Sequence, residues 1–135
     1  MKRVDVAYVI LHSENKEKIL MVKNKGRKGS YYTLPGGAVE HGETLEEAAR
    51  REAMEETGLI VETNGLARVS EAFFEERGHH AVFFYFHAQI KSGEIGIAFP
   101  DEIEEVIWMD IVQAKEYIGI SCIDGSIPYS FQGVK

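Results

Sequence analysis

Residues 36–59 read GGAVEHGETLEEAARREAMEETGL, and this stretch decides the fold. Thr44 stands where a helix wants an N-cap, and Glu47 three residues on completes a capping box. Ala48, Ala49, Arg50, Arg51, Ala53 and Met54 are strong helix formers. Gly58 falls where a helix end calls for a left-handed residue. The spacing predicts a helix over Thr44 to Thr57. At about 100° per residue, Leu45, Ala48 and Ala49 share one face, and the stripe continues through positions 52, 55 and 56. Glu46, Glu47, Arg50 and Thr57 fall on the opposite side. A core-facing stripe should stay apolar, yet here it carries Glu52, Glu55 and Glu56. Converging carboxylates repel, so either their pKa values rise or something positive neutralises them. A hard divalent cation such as Mg2+, which takes oxygen ligands, does this well. The competing reading is a solvated acidic face on a helix whose second half leaves the core.

The neighbours of the triad favour the first reading. Gly36 and Gly37 lie just upstream, where a glycine turn lets backbone approach a ligand closely. Glu43 sits ahead of the cap and can lean back over the carboxylate face. Arg51 stands one turn from Glu55, placed to orient a carboxylate; as an exposed i,i+4 pair it would contribute well under ~1 kcal/mol.

Working outward, Val4 to Leu11 is apolar and β-branched and reads as a buried strand. Ser13 to Lys16 reads as a turn and Lys18 to Val22 as the return strand. Asn24 to Ser30 is a basic loop. Tyr31 to Leu34 is short and extended, and Pro35-Gly36-Gly37 breaks it. Beyond the helix, Leu59 to Glu62, Leu66 to Glu75 and His80 to Ile90 are β-like, with Arg77-Gly78 turning the last two into a hairpin. Val106 to Met109 is a further strand, and Asp110 to Ile118 a short helix capped by Asp110. Residues 119–135 carry little pattern. Strands with interspersed helices and hairpins suggest a mixed sheet covered by helices.

Composition narrows the classes. The chain has 135 residues, about one domain's worth. Apolar residues make up 44% and charged residues 27%, which excludes disordered and fibrous classes. A lone Cys122 cannot close an internal disulfide; it reads as a small apolar residue, and a reducing cytoplasm fits. No run approaches the ~20 apolar residues of a membrane span, and the Val6–Leu11 run is too short for a signal-peptide core. The net charge of −7 is unevenly placed. Residues 1–31 hold eight Lys/Arg against three acids, and the remainder seven bases against nineteen acids. An acidic chain makes a poor general nucleic-acid binder. An acidic cluster beside a small basic patch suits a cation plus a small anion.

With Gly37, Glu43 and the run Arg51-Glu52-Ala53-Met54-Glu55-Glu56-Thr57-Gly58-Leu59 in place, the chain resembles the Nudix hydrolase family. That family's box is Gly, five residues, Glu, seven residues, then Arg-Glu-aliphatic-x-Glu-Glu-x-Gly-aliphatic. Its seven fixed positions all match, and Ala53 is smaller than the usual aliphatic residue. Leu34-Pro35-Gly36-Gly37 resembles the entry to the box, although Tyr32 stands where many members have Trp. Glu104-Glu105-Val106-Ile107-Trp108 resembles a late acidic-then-Trp strand. The resemblance implies an α/β (α+β) fold, an α/β/α sandwich with a mixed β-sheet and flanking helices, spanning 1–135 as a single domain. It implies hydrolysis of a nucleoside diphosphate linked to another group X, with Mg2+ or Mn2+. Glu52, Glu55 and Glu56 would be the metal carboxylates, the Gly36 carbonyl a further ligand, and Arg51 and Glu43 the residues that position the box. A homodimer is the assembly the resemblance allows.

The remaining candidates are less marked. Lys23, Lys25, Arg27 and Lys28 are placed to meet substrate phosphates, against the plainer reading of a solvated loop. Tyr31, Tyr32, Phe73 and Phe84 are candidates to stack a base, against sheet core. The proton acceptor is open among Glu52, Glu55 and the late acids Asp101, Glu102, Glu104 and Glu105. His79-His80 reads as ordinary hairpin histidine, since adjacent strand residues point to opposite faces. The box sets the reaction rather than the substrate. ADP-ribose hydrolases tend to carry a Pro beyond the box, and Leu59 to Phe99 contains none. A short (d)NTP pyrophosphohydrolase of MutT type is the default expectation. ADP-ribose, dinucleoside polyphosphates and RNA 5′ pyrophosphate are the other substrates, and a non-catalytic nucleotide sensor is the rival of a different class.

Overall fold

The computed structural model describes residues 1–118 and 127–135. Cys122 and the first part of the patternless tail lie outside the described residues. Along the chain come β1 (Lys2–Ile10), β2 (Lys18–Asn24), β3 (Tyr31–Thr33), β4 (Gly36–Ala38) and α1 (Leu45–Thr57). Then follow β5 (Leu59–Phe74), β6 (His79–Gly93), β7 (Ile103–Asp110), α2 (Ile111–Ile118) and β8 (Tyr129–Val134). A five-stranded mixed sheet runs β4-β1-β6-β5-β8, and a three-stranded sheet runs β3-β2-β7. The mixed sheet with helices on both sides agrees with expectation; the second sheet was not foreseen.

Alternation along β1 and β6 sets the layers. Ala7, Val9, Leu11 and Phe86 pack with Ala48, Ala49 and Ala53 of α1 in one core. Ile10 and Tyr85 point the other way, into a second core with Leu34, Met109 and Ala114 of α2. β2 feeds both, giving Leu20 to the first and Ile19 and Met21 to the second. Its position differs from the expected hairpin. β2 does turn back, but it pairs with β3 and β7, and it meets the end of the first strand and the turn after it through the His12–Ile19 bridge and the Leu20 N–H to Leu11 carbonyl and Ser13 N–H to Lys18 carbonyl bonds. The small sheet can thereby wedge between the two cores.

Three further local expectations need correcting. Gly36 and Gly37 do more than break a strand: as β4 they pair with Tyr8 and Ala7. The expected strands Leu59 to Glu62 and Leu66 to Glu75 are one long β5 ending at Phe74, carried past Gly65 by register shifts rather than split there. Asp110 ends β7 opposite Lys18, and the first amide of α2, that of Ile111, donates to the Glu17 carbonyl at 3.0 Å. The hairpin at Arg77-Gly78 is as expected, as is α1 with its Thr44–Glu47 capping box. Among the described residues no helix is long and apolar enough to cross a membrane.

α1 differs from its helical-wheel reading at one residue. Thr57 is fully buried, although the wheel put it on the outer side. Ala49, Ala53 and Thr57 form an i,i+4 row into the core. The Thr57 hydroxyl is satisfied locally, donating to the Ala53 carbonyl at 2.6 Å and accepting from the Leu59 N–H at 3.1 Å. Glu52, Glu55 and Glu56 therefore sit on the flank of the buried row, half-buried at its margin.

Gly58 closes the helix at φ 82°, its N–H donating to the Met54 carbonyl at 2.9 Å. A Cβ there would stand 2.4 Å from the Glu94 carbonyl oxygen. Gly65, at φ 103°, has nothing within 4 Å of a built Cβ. Gly65→Ala should cost only the left-handed backbone penalty, about 1–2 kcal/mol. Gly58→Ala should cost clearly more by equilibrium denaturation, and equal losses would contradict this account of the helix end.

Candidate active site

Four short-range facts assemble the carboxylates. β4 is pinned to β1, which holds Gly36 and Gly37 under the second half of α1. The Gly36 N–H donates to Glu56 Oε1 at 3.0 Å. A Cβ on Gly37 would fall 2.5 Å from the Glu52 carboxyl carbon, so the missing side chain leaves room for that carboxylate. Glu43 leans back as expected and grips Arg51 with both oxygens, at 2.7 Å to Nε and 2.9 Å to Nη2.

Arg51 is the hub. Its Nη1 donates to Glu52 at 3.0 Å and reaches Glu55 at 3.3 Å, and its Nη2 donates to the Ala38 carbonyl at 3.1 Å. Glu40 stands 3.7 Å away. The fork onto Glu43 is the bidentate geometry that fixes a guanidinium in place. Its partners are more than an exposed helix pair would have, since the side chain is only 24% exposed. The Arg51 bonds, then the Glu40 N–H, hold the Glu43 carboxyl down to about 2. Arg51 itself is pushed above its ordinary value, first by the bonds to Glu43, so it stays charged.

The two inner carboxylates go the other way. Burial pushes Glu52 up, with Arg51 pulling against it and the charges of Glu55 and Glu40 adding to it. Burial drives Glu56 further, to about 8; the Gly36 N–H opposes this, while the charges of Glu52, Glu102 and Glu55 reinforce it. An inward helix flank with a carboxyl raised this far is short of positive charge. Among the described residues no three His, Cys, Asp or Glu side chains already converge as a metal cage. Arg51 holds Glu52 and Glu55, and Glu56 is turned to Gly36. The donor chemistry nonetheless fits a hard divalent cation: all oxygen, anionic, partly buried and under-neutralised.

The loop after β6 brings Glu102 to this flank. Gly96 N–H donates to the Thr57 carbonyl at 3.0 Å, and the Glu102 carbonyl accepts the Lys25 N–H at 2.8 Å. The base of the basic loop is thus tied beside the carboxylates. Of the late acids, Glu104 accepts from Ser30 and pairs with Lys23 at 3.5 Å, which holds its carboxyl down. Glu105 accepts from the Tyr32 hydroxyl at 3.2 Å. Asp101 and Glu102 have no described side-chain partner. Lys23 also lies over the Tyr32 ring at 5.7 Å. Arg27 is exposed in its loop, and Lys28 is spent on an exposed pair with Glu76.

The base-stacking candidates separate. Phe84 packs against the α1 core, and Phe73 stacks edge-on with His80 and Phe131 on the same face. Tyr31 is exposed. Tyr32 alone adjoins a cavity, through its contact with Tyr117 at 5.0 Å. That cavity, about 160 Å³, lies on the α2 side and is lined by Tyr8, Leu34, Phe83, Tyr85, Tyr117 and Gln132, among others. It abuts the carboxylates across one strand, since the Tyr8 ring presses on Gly36 closely enough to exclude a Cβ. Sequence reasoning missed its walls. The signal for Tyr8 and Tyr85 was their alternation with core residues; Gln132 lies in the stretch that showed no pattern.

The family model described as NUDIX domain matches residues 1–121. An ADP-ribose pyrophosphatase of Methanocaldococcus jannaschii is 35% identical over 102 residues, 76% of this chain and 59% of that protein. The human 8-oxo-dGDP phosphatase NUDT18 is 42% identical over 95 residues, 67% of this chain and 28% of that protein. The chain therefore spans less than two thirds of the length of these curated relatives. A NUDIX hydrolase from Nitrosomonas europaea has a similar fold, with a TM-score of 0.80 at 21% identity, covering 92% of this chain and 88% of that one.

A carboxyl raised by folding stabilises the folded state fully below its ordinary pKa near 4.5 and loses that contribution as pH climbs through the folded value near 8. The metal-free protein should lose stability across that window and level off above it. Glu56→Gln is neutral throughout and keeps an acceptor for the Gly36 N–H. Urea unfolding should find the variant near wild type at pH 5 and more stable at pH 9. Parallel pH profiles would show that Glu56 is not the raised group.

Proposed function

Because the chain belongs to the NUDIX family, we propose that it is a divalent-metal-dependent hydrolase of the pyrophosphate bond in nucleoside diphosphate-X compounds. The observation that carries this reading is the half-buried Glu56 on the Gly36 N–H, its carboxyl raised first by burial and then by the neighbouring charges of Glu52, Glu102 and Glu55. A substrate with two adjacent phosphates repels such a flank unless a cation joins them. Glu52, Glu55 and Glu56, with the Gly36 carbonyl, are the residues that would hold Mg2+ or Mn2+. When bound, the ion supplies positive charge for the pyrophosphate and lowers the pKa of an attacking water.

The chain's own residues supply the rest. Arg51, clamped by Glu43 and the Ala38 carbonyl, acts as a positioning residue that fixes Glu52 and steadies Glu55. Glu102 and Asp101 are the late acids left uncommitted, and Glu102 is close enough for Glu56 to feel its charge. That makes Glu102 the better candidate to take the proton of the attacking water than Glu104 or Glu105, which are engaged elsewhere. Lys23, Lys25 and Arg27, on the strand and loop tied to Glu102 through the Lys25 N–H, would meet an outer phosphate. The aromatic cavity beyond Gly36 takes the nucleoside.

Two substrate classes stand ahead of the others. The 28% identity to a MutT NUDIX hydrolase of Burkholderia pseudomallei supports the MutT-type reading, with (d)NTPs as its substrate. The Methanocaldococcus jannaschii relative is named for ADP-ribose, which supports that substrate despite the missing Pro between Leu59 and Phe99. The test is phosphate and pyrophosphate release from (d)NTPs, ADP-ribose, a dinucleoside tetraphosphate and a 5′-triphosphate RNA, with Mg2+, Mn2+ or chelator. Metal-dependent turnover of one class is expected. Glu56→Gln should cut kcat by about a hundredfold or more, the scale of lost charge or proton handling. Metal-dependent nucleotide binding without turnover would replace the enzyme with a sensor.

A further inference from the structure

β8 pairs parallel with β5, Ser130 opposite Ser70 and Phe131 opposite Glu71. Its alternation is inverted relative to an ordinary edge strand. Tyr129 and Phe131 are exposed on the α1 side, where Tyr129 donates to Glu71 and Phe131 meets Phe73 at 5.3 Å. Ser130 and Gln132 turn their polar groups toward the α2 side, Ser130 accepting from Arg68. The strand is held at both ends, by the Val69 N–H to the Pro128 carbonyl at 2.9 Å and the Lys135 N–H to the Phe73 carbonyl at 2.7 Å. Gln132 is thereby fixed at the rim of the aromatic cavity.

The cavity is built for a flat ring. Tyr8, Phe83 and Tyr85 form a row on the sheet, Tyr8 lying near-parallel to Phe83 at 6.0 Å and to Tyr85 at 5.5 Å. Tyr117 adds a fourth ring from α2. Such a wall offers stacking but cannot tell one base from another. The polar end is a chain of three groups: the Tyr85 hydroxyl lies 3.3 Å from Ser70 Oγ, which accepts from Gln132 Nε2 at 2.9 Å. One amide N–H of Gln132 is spent there. Its carbonyl oxygen and second N–H have no described partner. Such an amide has its acceptor and donor side by side, which pairs with the amino N–H and adjoining ring nitrogen of adenine.

We propose that Gln132 is the specificity-determining residue, selecting a 6-aminopurine stacked on the Tyr8–Phe83–Tyr85 row. The assignment rests on the hydrolase reading above, because the diphosphate of the same ligand must reach Glu56 past Gly36. It predicts that adenine compounds are preferred within whichever class is hydrolysed, and that the preference comes from the last strand of the fold rather than from the box.

Uncharged nucleosides test this without metal or turnover. Adenosine, purine riboside (the same ring without its amino group) and guanosine are titrated into the full chain, with amide chemical shifts followed. Wild type should bind adenosine about five- to tenfold tighter than purine riboside, the worth of one net hydrogen bond. Gln132→Leu should bind the two alike, adenosine losing both hydrogen bonds and purine riboside only the one to its ring nitrogen. Gln132 is exposed, so the variant should keep the wild-type spectrum away from β8. A merely structural role would weaken both nucleosides by the same factor, leaving the wild-type preference intact, and overturns the proposal. Equal binding by wild type, tighter guanosine binding, or no nucleoside binding in a turnover-competent protein overturns it too. Adenosine discrimination that depends on Gln132 in a protein with no hydrolysis would support the selector and sink the hydrolase reading instead.

Discussion

One guanidinium among several carboxylates sets the terms for the rest of the structure. Arg51 faces Glu43, Glu52 and Glu55 within hydrogen-bond reach, with Glu40 just beyond. A single positive charge does not balance that many negative ones. The imbalance is unevenly shared: Glu43 takes the strongest bonds and becomes very acidic, while the half-buried Glu56, which Arg51 does not bond, is pushed up to about 8, first by burial. The site therefore carries one locked carboxylate, Glu43 just ahead of α1, two steadied ones and one that is under-compensated. That gradient follows first from burial and then from the reach of Arg51, and it defines where an added cation gains most.

The backbone around this helix is arranged to keep the gradient in place. The Thr44 cap and Gly58 fix both ends of α1. β4 brings two residues without side chains against its flank, one giving an N–H to Glu56 and the other leaving space for Glu52. The same β4 forms the partition from the aromatic cavity, so phosphate chemistry and base recognition occupy opposite faces of one thin strand. The late loop then closes the carboxylate side through Gly96 and Glu102.

What was legible in the sequence was local. The capping box, the terminal glycine and the misplaced glutamates are written within 15 consecutive residues, Thr44 to Gly58, and the geometry of a single helix interprets them. Arg51 and Glu43 could be nominated from spacing. The wheel failed only at Thr57, where the carboxylate flank was taken for the centre of the buried face. Nonlocal features were not legible. That β2 leaves the first strand for β7 depends on a pairing 80-odd residues away. That the tail forms β8 depends on β5 having a free edge, which no local pattern reports. Its polar residues face the α2 side, at the cavity, and its exposed aromatics the α1 side, so no hydrophobic alternation marks the face that lines the cavity. The cavity, drawn from β1, β3, β6, α2 and β8, was invisible for the same reason.

The central claim is that the under-neutralised flank of α1 binds a divalent cation in exchange for the Glu56 proton. Calorimetric titration of Mn2+ or Mg2+ in buffers of different ionisation enthalpy counts that proton directly. With a carboxyl near 8, binding should release close to one proton at pH 7 and few at pH 9, since a ligand must be deprotonated to bind. Glu56→Gln should bind weakly and release none. Tight binding at pH 7 with no proton released, or unchanged binding by Glu56→Gln, would contradict the account.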